Sequence, residues 1–364
     1  MRLIFTSYIS SPEFDEPELW LKRIEGYTGI LEALSKDHTV IGIERINYEG
    51  NYEKDGVQYF FTRQKQRISR FPFRMHRLIR KLKPDIVFVN GFIFPFQLMQ
   101  LRLKLGKAVK IIVINHAERP GSGLRKFLQQ QADRFVYRHF FTAKEMGTAW
   151  VKAGIIGNEQ KIVEVMEASS LFSVMDKAEA LARTGASGSP VFLWVGRLDA
   201  NKDPLTVIKA FGKFVQQQPL AKLCMIYHTE ELKGEIESLC EKDAVLKNAV
   251  VWVGKLPHDE LQYWYNSAAF IIAASHYEGS GVAVCEAMSC SCVPLLTNID
   301  SFRKMTGHGK CGFLYEPGND EALFKILMQA ITLNMEEEKA KVLQQFNAEL
   351  SFTAIVKNIN AAIS

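Results

Sequence analysis

The sequence predicts an α/β protein built from two doubly wound domains. In both halves, short apolar or β-branched runs alternate with longer segments whose apolar residues recur at helical spacing. Such alternation is typical of parallel sheets with right-handed crossovers. The chain has 364 residues, 47% of them hydrophobic, which is more than one ordinary core of about 150 residues requires.

We predict domain limits from composition. The first domain spans 1–170, a linker rich in Gly, Ser and Ala spans 171–190, and the second domain spans 191–345. Residues 346–364 form an amphipathic helix that has nothing after it to pack on, and we expect it to cross back to the first domain.

The order of elements follows the same alternation. In the first half we predict strands at 2–9, 38–44, 85–91 and 109–116, with helices at 20–36 and 96–105. In the second half we predict strands at 190–198, 222–228, 249–255, 269–275, 293–298 and 312–317, with helices at 203–218, 231–242, 259–268 and 320–331.

Charge is unevenly divided between the halves. Residues 1–170 hold 27 Lys or Arg against 18 Asp or Glu, whereas the remainder holds 18 against 22. The two halves are therefore expected to bind different partners. No segment has the length of a signal peptide or membrane span, so we expect a cytoplasmic chain that at most lies on a membrane surface.

The six cysteines all lie in the second half. This distribution argues against a disulfide framework, and we expect reduced, buried thiols. Cys285, Cys290 and Cys292 lack a second ligand pair at zinc spacing. We predict no metal site and no cofactor.

In open parallel sheets, ligands bind at the carboxyl ends of strands. After one strand, "VGRLDANKDP" places Arg197 and Lys202 just before a helix that Asp203 and Pro204 would begin. Two cations beside a helix N-terminus suit a diphosphate. A solvated Lys202, with Arg197 paired to Asp199, is an equally open interpretation.

A second strand end reads "EGSGVAVCEAM". Gly279, Ser280 and Gly281 form a turn into a helix that begins near Val282, and its free backbone amides could bind a phosphate. Two carboxylates flank these amides. We predict that Glu286 faces the sugar of a nucleotide and that Glu278 faces the group beyond the phosphates, the alternative being a helix-capping acid and a surface acid.

Two features of the first half complete the candidates. His116 follows an apolar strand, and it is open to a functional or a purely structural role. Residues 62–84 contain nine Lys or Arg and no acid. Their second part spaces Phe73, Leu78, Ile79 and Leu82 on one face, which is typical of a helix on anionic lipid, or of an ordinary surface helix.

Several motifs are missing. The sequence has no Asp-x-Asp pair after a strand, no dinucleotide fingerprint, no Walker-type loop and no nucleophile elbow. No nucleic-acid-binding motif accompanies the positive charge, so we predict no nucleic-acid partner.

The second half resembles glycosyltransferase family 4, of the GT-B fold. "FLWVGRLDANKDPLTVIKAF", "SHYEGSGVAVCEAMSCSCVPLL" and "CGFLYEPGNDEAL" are similar to the family's motifs in order and spacing. "KPDIVFVNG", "VINHAERP" and "FFTAKEMGTAWVKAGI" resemble it more loosely. The resemblance implies two Rossmann-like domains that face each other across a cleft.

It also implies residue roles. Arg197 and Lys202 would neutralise the donor diphosphate, and amides near Gly281 and Val282 would bind its distal phosphate. Glu286 would hold the ribose, Glu278 the transferred sugar, and His116 would contact that sugar. Transfer would proceed with retention and without a metal, because cations and amides stabilise the leaving group.

The sequence departs from the family at three places. The first loop, "SSPEFDEPELW", lacks the usual Gly-Gly pair, and glycines appear only at Gly26 and Gly29. "IDSFRK" replaces a Gly-Gly-x-x-Glu segment. Glu167 and Ala168 stand where the family has Asn-Gly.

We therefore predict a retaining glycosyltransferase of polysaccharide biosynthesis that uses a nucleotide-diphosphate sugar, with UDP as the expected nucleotide. The acceptor would be a glycan, a lipid-linked sugar or another anionic molecule, with residues 63–83 on the inner face of the cytoplasmic membrane. A non-catalytic nucleotide-sugar binder or scaffold in a glycan-assembly complex, and a nucleotide-sugar epimerase, are the alternatives.

Overall fold

Two β-sheets organise the chain, each within its own unit. The computed structural model describes residues 1–63 and 71–364. One unit comprises residues 1–169 and 352–364, and the other comprises residues 170–351.

The first unit contains a largely parallel sheet. Among its described residues the strand order is β3-β4-β2-β1-β5-β6-β7-β8, and only the β3–β4 pair is antiparallel. The central strand β1 pairs on both sides, since Leu3 lies beside Val40 and Ile86. The strands are β1 (Arg2–Ser7), β2 (Thr39–Glu44), β3 (Gly50–Lys54), β4 (Val57–Phe61), β5 (Ile86–Asn90), β6 (Lys110–Ile114), β7 (Arg138–Phe141) and β8 (Ile162–Glu164).

The β3–β4 hairpin is absent from the prediction. Its two-residue turn is Asp55-Gly56, and both residues have positive φ, 49° and 80°. Asp-Gly between two extended runs is a strong hairpin signal, so the sequence did contain the information.

Among the described residues, six helices accompany this sheet before the chain leaves the unit. They are α1 (Pro17–Arg23), α2 (Glu25–Leu34), α3 (Phe73–Lys81), α4 (Pro95–Leu105), α5 (Gly123–Asp133) and α6 (Lys144–Lys152). The single helix predicted at 20–36 is wrong, because the chain breaks at Ile24, which has φ −112° and ψ 24°.

Helix α3 buries only part of the predicted face, since Ile79 is buried and Leu78 and Leu82 are half-buried. Its buried residues are Met75, His76 and Ile79, while Phe73 is 60% exposed. The prediction that Phe73 belongs to the packed face is therefore wrong. Residues 64–70 of the basic segment lie outside the described part of the chain.

The second unit has an all-parallel sheet in the order β11-β10-β9-β12-β13-β14. Phe192 of the central strand stacks on Phe270 of its neighbour, with ring centroids 5.0 Å apart. The strands are β9 (Val191–Gly196), β10 (Lys222–Tyr227), β11 (Val250–Gly254), β12 (Phe270–Ala273), β13 (Val293–Thr297) and β14 (Phe313–Tyr315). The helices are α7 (Lys177–Thr184), α8 (Pro204–Val215), α9 (Lys233–Glu241), α10 (Ala244–Ala249), α11 (Leu261–Ser267), α12 (Val282–Ser289), α13 (Asp300–Met305), α14 (Asp320–Ala330) and α15 (Met335–Gln345).

The segment predicted as a linker contains α7. This helix packs against α11 and is part of the second unit. Asp176 caps it by accepting a hydrogen bond from the Glu179 backbone amide at 2.9 Å, so an N-cap signal lay within the Gly-, Ser- and Ala-rich stretch.

The last helix, α16 (Phe352–Ile363), packs within the first unit. It contacts α2, and its buried apolar residues recur at helical spacing, including Ile355, Ile359 and Ile363. Gly29 of α2 permits this contact, because a Cβ there would lie 2.5 Å from the Phe352 ring. A turn of π-helix, Phe346–Leu350, precedes α16 and remains in the second unit.

Candidate functional site

Two loops of the second unit meet at the carboxyl edge of its sheet. One follows β9 and the other follows β12, and these strands are neighbours. Asn201 joins the loops, because its side-chain amide donates to the Tyr277 carbonyl at 3.0 Å and its own carbonyl accepts from the His276 backbone at 2.8 Å. Residues 197–203 and 274–281 therefore form one surface.

Lys202 and Glu278 face each other across this surface. The Lys202 ammonium Nζ lies 2.5 Å from Oε1 of Glu278. Their side chains are 23% and 13% exposed. A charge-assisted hydrogen bond at a half-buried site is stronger than a solvated surface pair, so the two predicted binding residues act as one unit in the unliganded protein.

Arg197 has a different environment. Its side chain is 52% exposed, and Nη2 lies 3.2 Å from Oδ2 of Asp199. The other Asp199 oxygen accepts the Lys202 backbone amide at 2.9 Å. Asp199 thus fixes the loop that carries both cations, and the Arg197–Asp199 pair that the sequence left open is present.

Helix α12 begins at Val282, as the sequence predicts. Its N-cap, Gly281, has φ 57°, and a Cβ there would lie 2.6 Å from Cε1 of Phe302. Glycine is therefore needed both for the backbone angle and for space. Gly279 and the buried Ser280 precede it, and Val282 is 45% exposed.

Glu286 lies one turn inside α12 and is buried, with 5% exposure. Its carboxylate is held by two groups: His258 Nε2 lies 2.6 Å from Oε1, and the Tyr265 hydroxyl donates to Oε2 at 3.0 Å. Burial, and then the adjacent Glu286, raise the pKa of Tyr265 well above its usual value, so the phenol stays protonated and donates. The surface-acid interpretation of Glu286 is wrong.

His258 and Tyr265 were not predicted. His258 lies between β11 and α11 and Tyr265 lies within α11, and the His258 ring lies 5.1 Å from that of Phe172. "LPHDE" carries no spacing signal that relates it to Glu286, which is 28 residues away.

A small cavity lies beside the Lys202–Glu278 pair. Its lining includes both residues together with Gly281, Val284 and Phe302. Its volume is about 20 Å³, which is room for about one water molecule. The cavity is a recess next to the helix N-terminus and is too small to enclose a sugar.

His116 lies in the first unit, two residues after β6. Its ring is 41% exposed, and Nδ1 contacts Oε2 of Glu167, whose side chain is 9% exposed. The His116 backbone amide donates to Oε2 of Glu118 at 2.6 Å. Glu167, noted in the sequence only as a departure from the family, is therefore the partner of the candidate histidine.

Other polar side chains gather at strand ends of the first unit. The Tyr8 hydroxyl lies 2.9 Å from Nε2 of His76, and the Trp20 indole donates to the Glu44 carboxylate at 2.9 Å. Burial lowers the pKa of His76 to about 4, with Arg45 contributing, and burial raises the pKa of Glu44 to about 7. No sequence motif indicated this cluster.

The α3 surface combines cations with exposed aromatic rings. Phe71 is 57% exposed and contacts the rings of Phe73 and Phe96, with centroids 5.7 and 5.8 Å apart. The exposed cations of α3 are Arg74, Arg77, Arg80 and Lys81. Among the described helices, none has the length and apolar character needed to span a bilayer.

Across residues 1–63 and 71–364, no group of three or more His, Cys, Asp or Glu side chains is arranged to hold a metal ion. The six cysteines are free and buried, and burial raises the pKa of the Cys285, Cys290 and Cys292 thiols.

The chain is similar in sequence to glycosyltransferases. The family model of glycosyl transferases group 1 matches residues 176–347, slightly less than half of the chain. An uncharacterized glycosyltransferase of Methanocaldococcus jannaschii is 24% identical over 337 residues, which cover 80% of this chain and 79% of that protein.

Two solved structures share the fold. Sucrose-phosphate synthase from Thermosynechococcus elongatus superposes with a TM-score of 0.74 at 16% identity, covering 100% of this chain and 98% of that one. The Anabaena protein HepE, solved in complex with UDP and glucose, gives a TM-score of 0.73 at 13% identity, covering 100% and 99%. The chain has the GT-B fold, and together these findings support a glycosyltransferase.

Proposed function

We propose that the protein transfers a sugar from a nucleotide-diphosphate sugar to a glycan or lipid-linked acceptor, with retention and without a metal ion. The observation that carries this proposal is the Lys202–Glu278 pair beside the N-terminus of α12. It brings a cation, a carboxylate and free helix amides to one strand edge.

Each group has a role in binding the donor. Lys202 and the more exposed Arg197 would neutralise the diphosphate, and amides near Gly281 and Val282 would bind its distal phosphate. Glu278, released from Lys202 when phosphate replaces it, would accept hydrogen bonds from hydroxyls of the sugar. Glu286, already oriented by His258 and Tyr265, would hold the ribose.

The same groups would promote bond cleavage. Negative charge develops on the diphosphate as the glycosidic bond breaks, and fixed cations and amides stabilise that charge. Removal of one such donor typically costs about 100- to 1000-fold in turnover. His116 would contact the transferred sugar from the first unit.

We propose UDP as the donor nucleotide. The support is the fold shared with HepE, a protein whose structure contains UDP and glucose. A comparison of melting temperatures with UDP, GDP and ADP decides the nucleotide, because each raises the melting temperature according to its affinity.

We further propose that the first unit binds an anionic or lipid-linked acceptor at the inner face of the cytoplasmic membrane. The α3 surface supports this, because Phe71, Phe73 and Phe96 stand exposed beside four cations. Sedimentation with vesicles tests it. Binding should require anionic lipid and weaken in a Phe73→Ser, Phe96→Ser variant, whereas equal binding to phosphatidylcholine vesicles would contradict it.

The decisive experiment measures nucleotide binding and turnover together. Purified protein is titrated with UDP and incubated with UDP-sugars, and release of UDP is followed with and without a glycan acceptor. We expect micromolar binding and acceptor-stimulated release. A protein that neither binds UDP nor releases UDP from any common donor would refute the function. Binding without any turnover would favour the non-catalytic binder, and isomerised donor would favour the epimerase.

A further inference from the structure

A groove lies at the amino edge of the sheet in the first unit, where α4 ends and β6 and β7 begin. Its volume is about 560 Å³, within the roughly 300–1000 Å³ that is typical of small-ligand pockets. The described residues that line this amino-edge groove include no Asp or Glu, but they include four cations: Arg102, Lys107, Lys110 and Arg134. His116 follows the opposite end of β6, so the groove is separate from the candidate residues at the carboxyl edge.

The guanidinium of Arg102 is held in place by backbone carbonyls. Nη1 donates to the carbonyl of Gly106 and, at 2.9 Å, to that of Val109, while Nη2 donates to the carbonyl of Phe135 at 3.0 Å. These partners are neutral, so they leave the charge of the half-buried guanidinium unbalanced, and burial lowers its pKa. Its Nε–H has no hydrogen-bond partner among the described residues. A fixed, half-buried cation of this kind favours an anion beside it.

The other three cations add charge to the same groove. Lys110 is held on one side, because Nζ donates to the Ile363 carbonyl at 3.2 Å and lies 4.5 Å from the centroid of the Tyr137 ring. Lys107 and Arg134 are exposed at the rim. Across residues 1–63 and 71–364, none of the four cations forms an ion pair with a carboxylate. The groove therefore has a concentrated positive charge that the described part of the chain does not neutralise.

The acids nearest in sequence have other partners. Asp133, one residue before Arg134, is buried, and its carboxylate lies 2.9 Å from Nε2 of His139 and 3.0 Å from Nζ of Lys161. Asp85 lines a neighbouring groove and accepts the backbone amide of Arg2 at 2.7 Å. Neither acid lines the amino-edge groove, so an anion that enters it meets cations without a competing carboxylate.

Apolar surface lies between these cations. Leu103, which is 84% exposed, lines the groove together with Val109 and Phe135. A phosphate carries up to about two negative charges and several acceptor oxygens, and a guanidinium binds it through paired hydrogen bonds. Four cations around an apolar floor thus suit a phosphate group that is attached to an apolar or planar portion.

We propose that the amino-edge groove is a binding site for a phosphate-bearing ligand with an apolar portion. Arg102 and Lys110, which the protein holds in place, bind the phosphate, and Lys107 and Arg134 contact it from the rim. The apolar portion packs on the surface around Val109. The headgroup of an anionic phospholipid and a free phosphorylated molecule share this chemistry. The site requires neither the sugar donor nor turnover.

Nuclear magnetic resonance of the full chain tests the site. The protein is labelled with nitrogen-15 in its arginines, and the Nε–H signal of Arg102 is followed at mildly acidic pH and assigned with Arg102→Lys. Two probes are added separately: inorganic pyrophosphate, and dihexanoyl phosphatidylglycerol as a monomer. We expect a saturable shift of the Arg102 signal. A response to the lipid alone supports a phospholipid, and a response to pyrophosphate supports a free phosphate. A signal that neither probe moves would overturn the proposal.

Two double variants test the role of the rim. Lys107→Gln with Arg134→Gln removes two exposed, unpaired cations and should weaken probe binding by about tenfold or more. Arg23→Gln with Lys36→Gln removes the same two charges from exposed positions at the end of α1 and just after α2. This control should bind both probes as the wild type does.

Equal weakening in the two double variants would show that net charge alone attracts the probes, and it would overturn the proposal. Calorimetric titration of the same proteins gives the affinities independently and decides the matter if Arg102→Lys does not fold. The outcome is separate from the proposed function. A wild type that releases UDP from no donor refutes the glycosyltransferase, while the Arg102 signal still decides whether the groove binds phosphate.

Discussion

The strand edge around Lys202 and the strand edge around His116 are built in different ways. In the second unit, the candidate groups come from two short stretches, 197–203 and 278–286, that a motif can define. In the first unit, they come from separate strand ends: Tyr8, Glu44, His116 and Glu167 each belong to a different part of the chain.

This difference explains why the candidate site of the second unit is easier to predict from the sequence than that of the first unit. A phosphate is bound by backbone amides and a nearby cation, which local sequence can specify. An acceptor is bound by side chains that only the tertiary structure brings together. Four variants test how far the contrast holds, beginning with the largest expected effect.

Lys202→Met tests whether the edge of the second unit acts as one site. The change keeps the side-chain length but removes the charge that pairs with Glu278, and we expect turnover to fall about 100- to 1000-fold. UDP release is the measurement. Lys209→Met, at an exposed position of α8, is the matched control. A loss below tenfold would mean that Lys202 is only a structural partner.

Gly281→Ala tests whether the helix entry is sterically determined. The positive φ alone costs about 1–2 kcal/mol, and the overlap with Phe302 adds about 1–3 kcal/mol. Urea unfolding gives the free energies. In Gly185→Ala the φ is 64° and no atom lies within 4 Å of the added Cβ, so that variant should lose only the backbone contribution. Equal losses would show that Phe302 moves aside.

If Glu286 holds the ribose, its removal should weaken the binding of UDP more than the binding of 2′-deoxy-UDP. Wild-type protein should bind 2′-deoxy-UDP about tenfold more weakly than UDP, because a hydrogen bond to a charged group contributes roughly 1.5–3 kcal/mol. Glu286→Ala should bind the two ligands equally. Tyr265→Phe keeps the carboxylate and should retain the preference. Calorimetry makes the comparison, and a preference that survives Glu286→Ala assigns the ribose to another group.

The buried acid of the first unit predicts a pH effect on stability. Burial raises the pKa of Glu44 from 4.5 to about 7, so the unfolded chain releases this proton first as pH rises. The free energy of unfolding therefore falls between about pH 4.5 and 7. His76, with its pKa lowered from 6.5 to about 4, has the opposite effect in the same range.

Glu44→Gln removes the ionisable group whose charged form is disfavoured by burial. Its side-chain oxygen still accepts the hydrogen bond from the Trp20 indole. Relative to wild type, this variant should gain about 2 kcal/mol between pH 5 and pH 7.5, measured by urea unfolding at both values. Glu53→Gln, exposed on β3, serves as the control. A difference that does not change with pH would show that Glu44 is ionised in the folded state.

The periodic patterns predicted all six strands of the second sheet, because strand burial is a local property, but of the first sheet only β1, β2, β5 and β6. β9, β12 and α12 lie where their apolar runs are, and Asp203 begins α8 by capping Thr206 at 3.1 Å. The break at Ile24 was missed because the apolar residues of 20–36 keep helical spacing across it. The exposure of Phe73 was missed because helical spacing identifies apolar residues on one side of a helix. It does not reveal which of them a neighbouring helix covers.

The candidate residues show the same limit. The strand-end rule selected Lys202 and Glu278 separately, but nothing local indicated that residues 76 apart would pair. His258 orients Glu286 from the connection before α11 and Tyr265 from α11 itself, and Glu167 reaches His116 from two strands away. Partners of this kind are fixed by topology, so a single sequence does not reveal them.

Helix α16 makes the first unit discontinuous along the chain. Ribosomal synthesis completes residues 1–169, then the whole of 170–351, and only afterwards the segment that covers α2. The surface of the first unit around Gly29 therefore stays uncovered until the whole second unit has been synthesised. A premature stop just before Phe352 would spare the nucleotide-binding unit's own residues and damage the unit that was translated first.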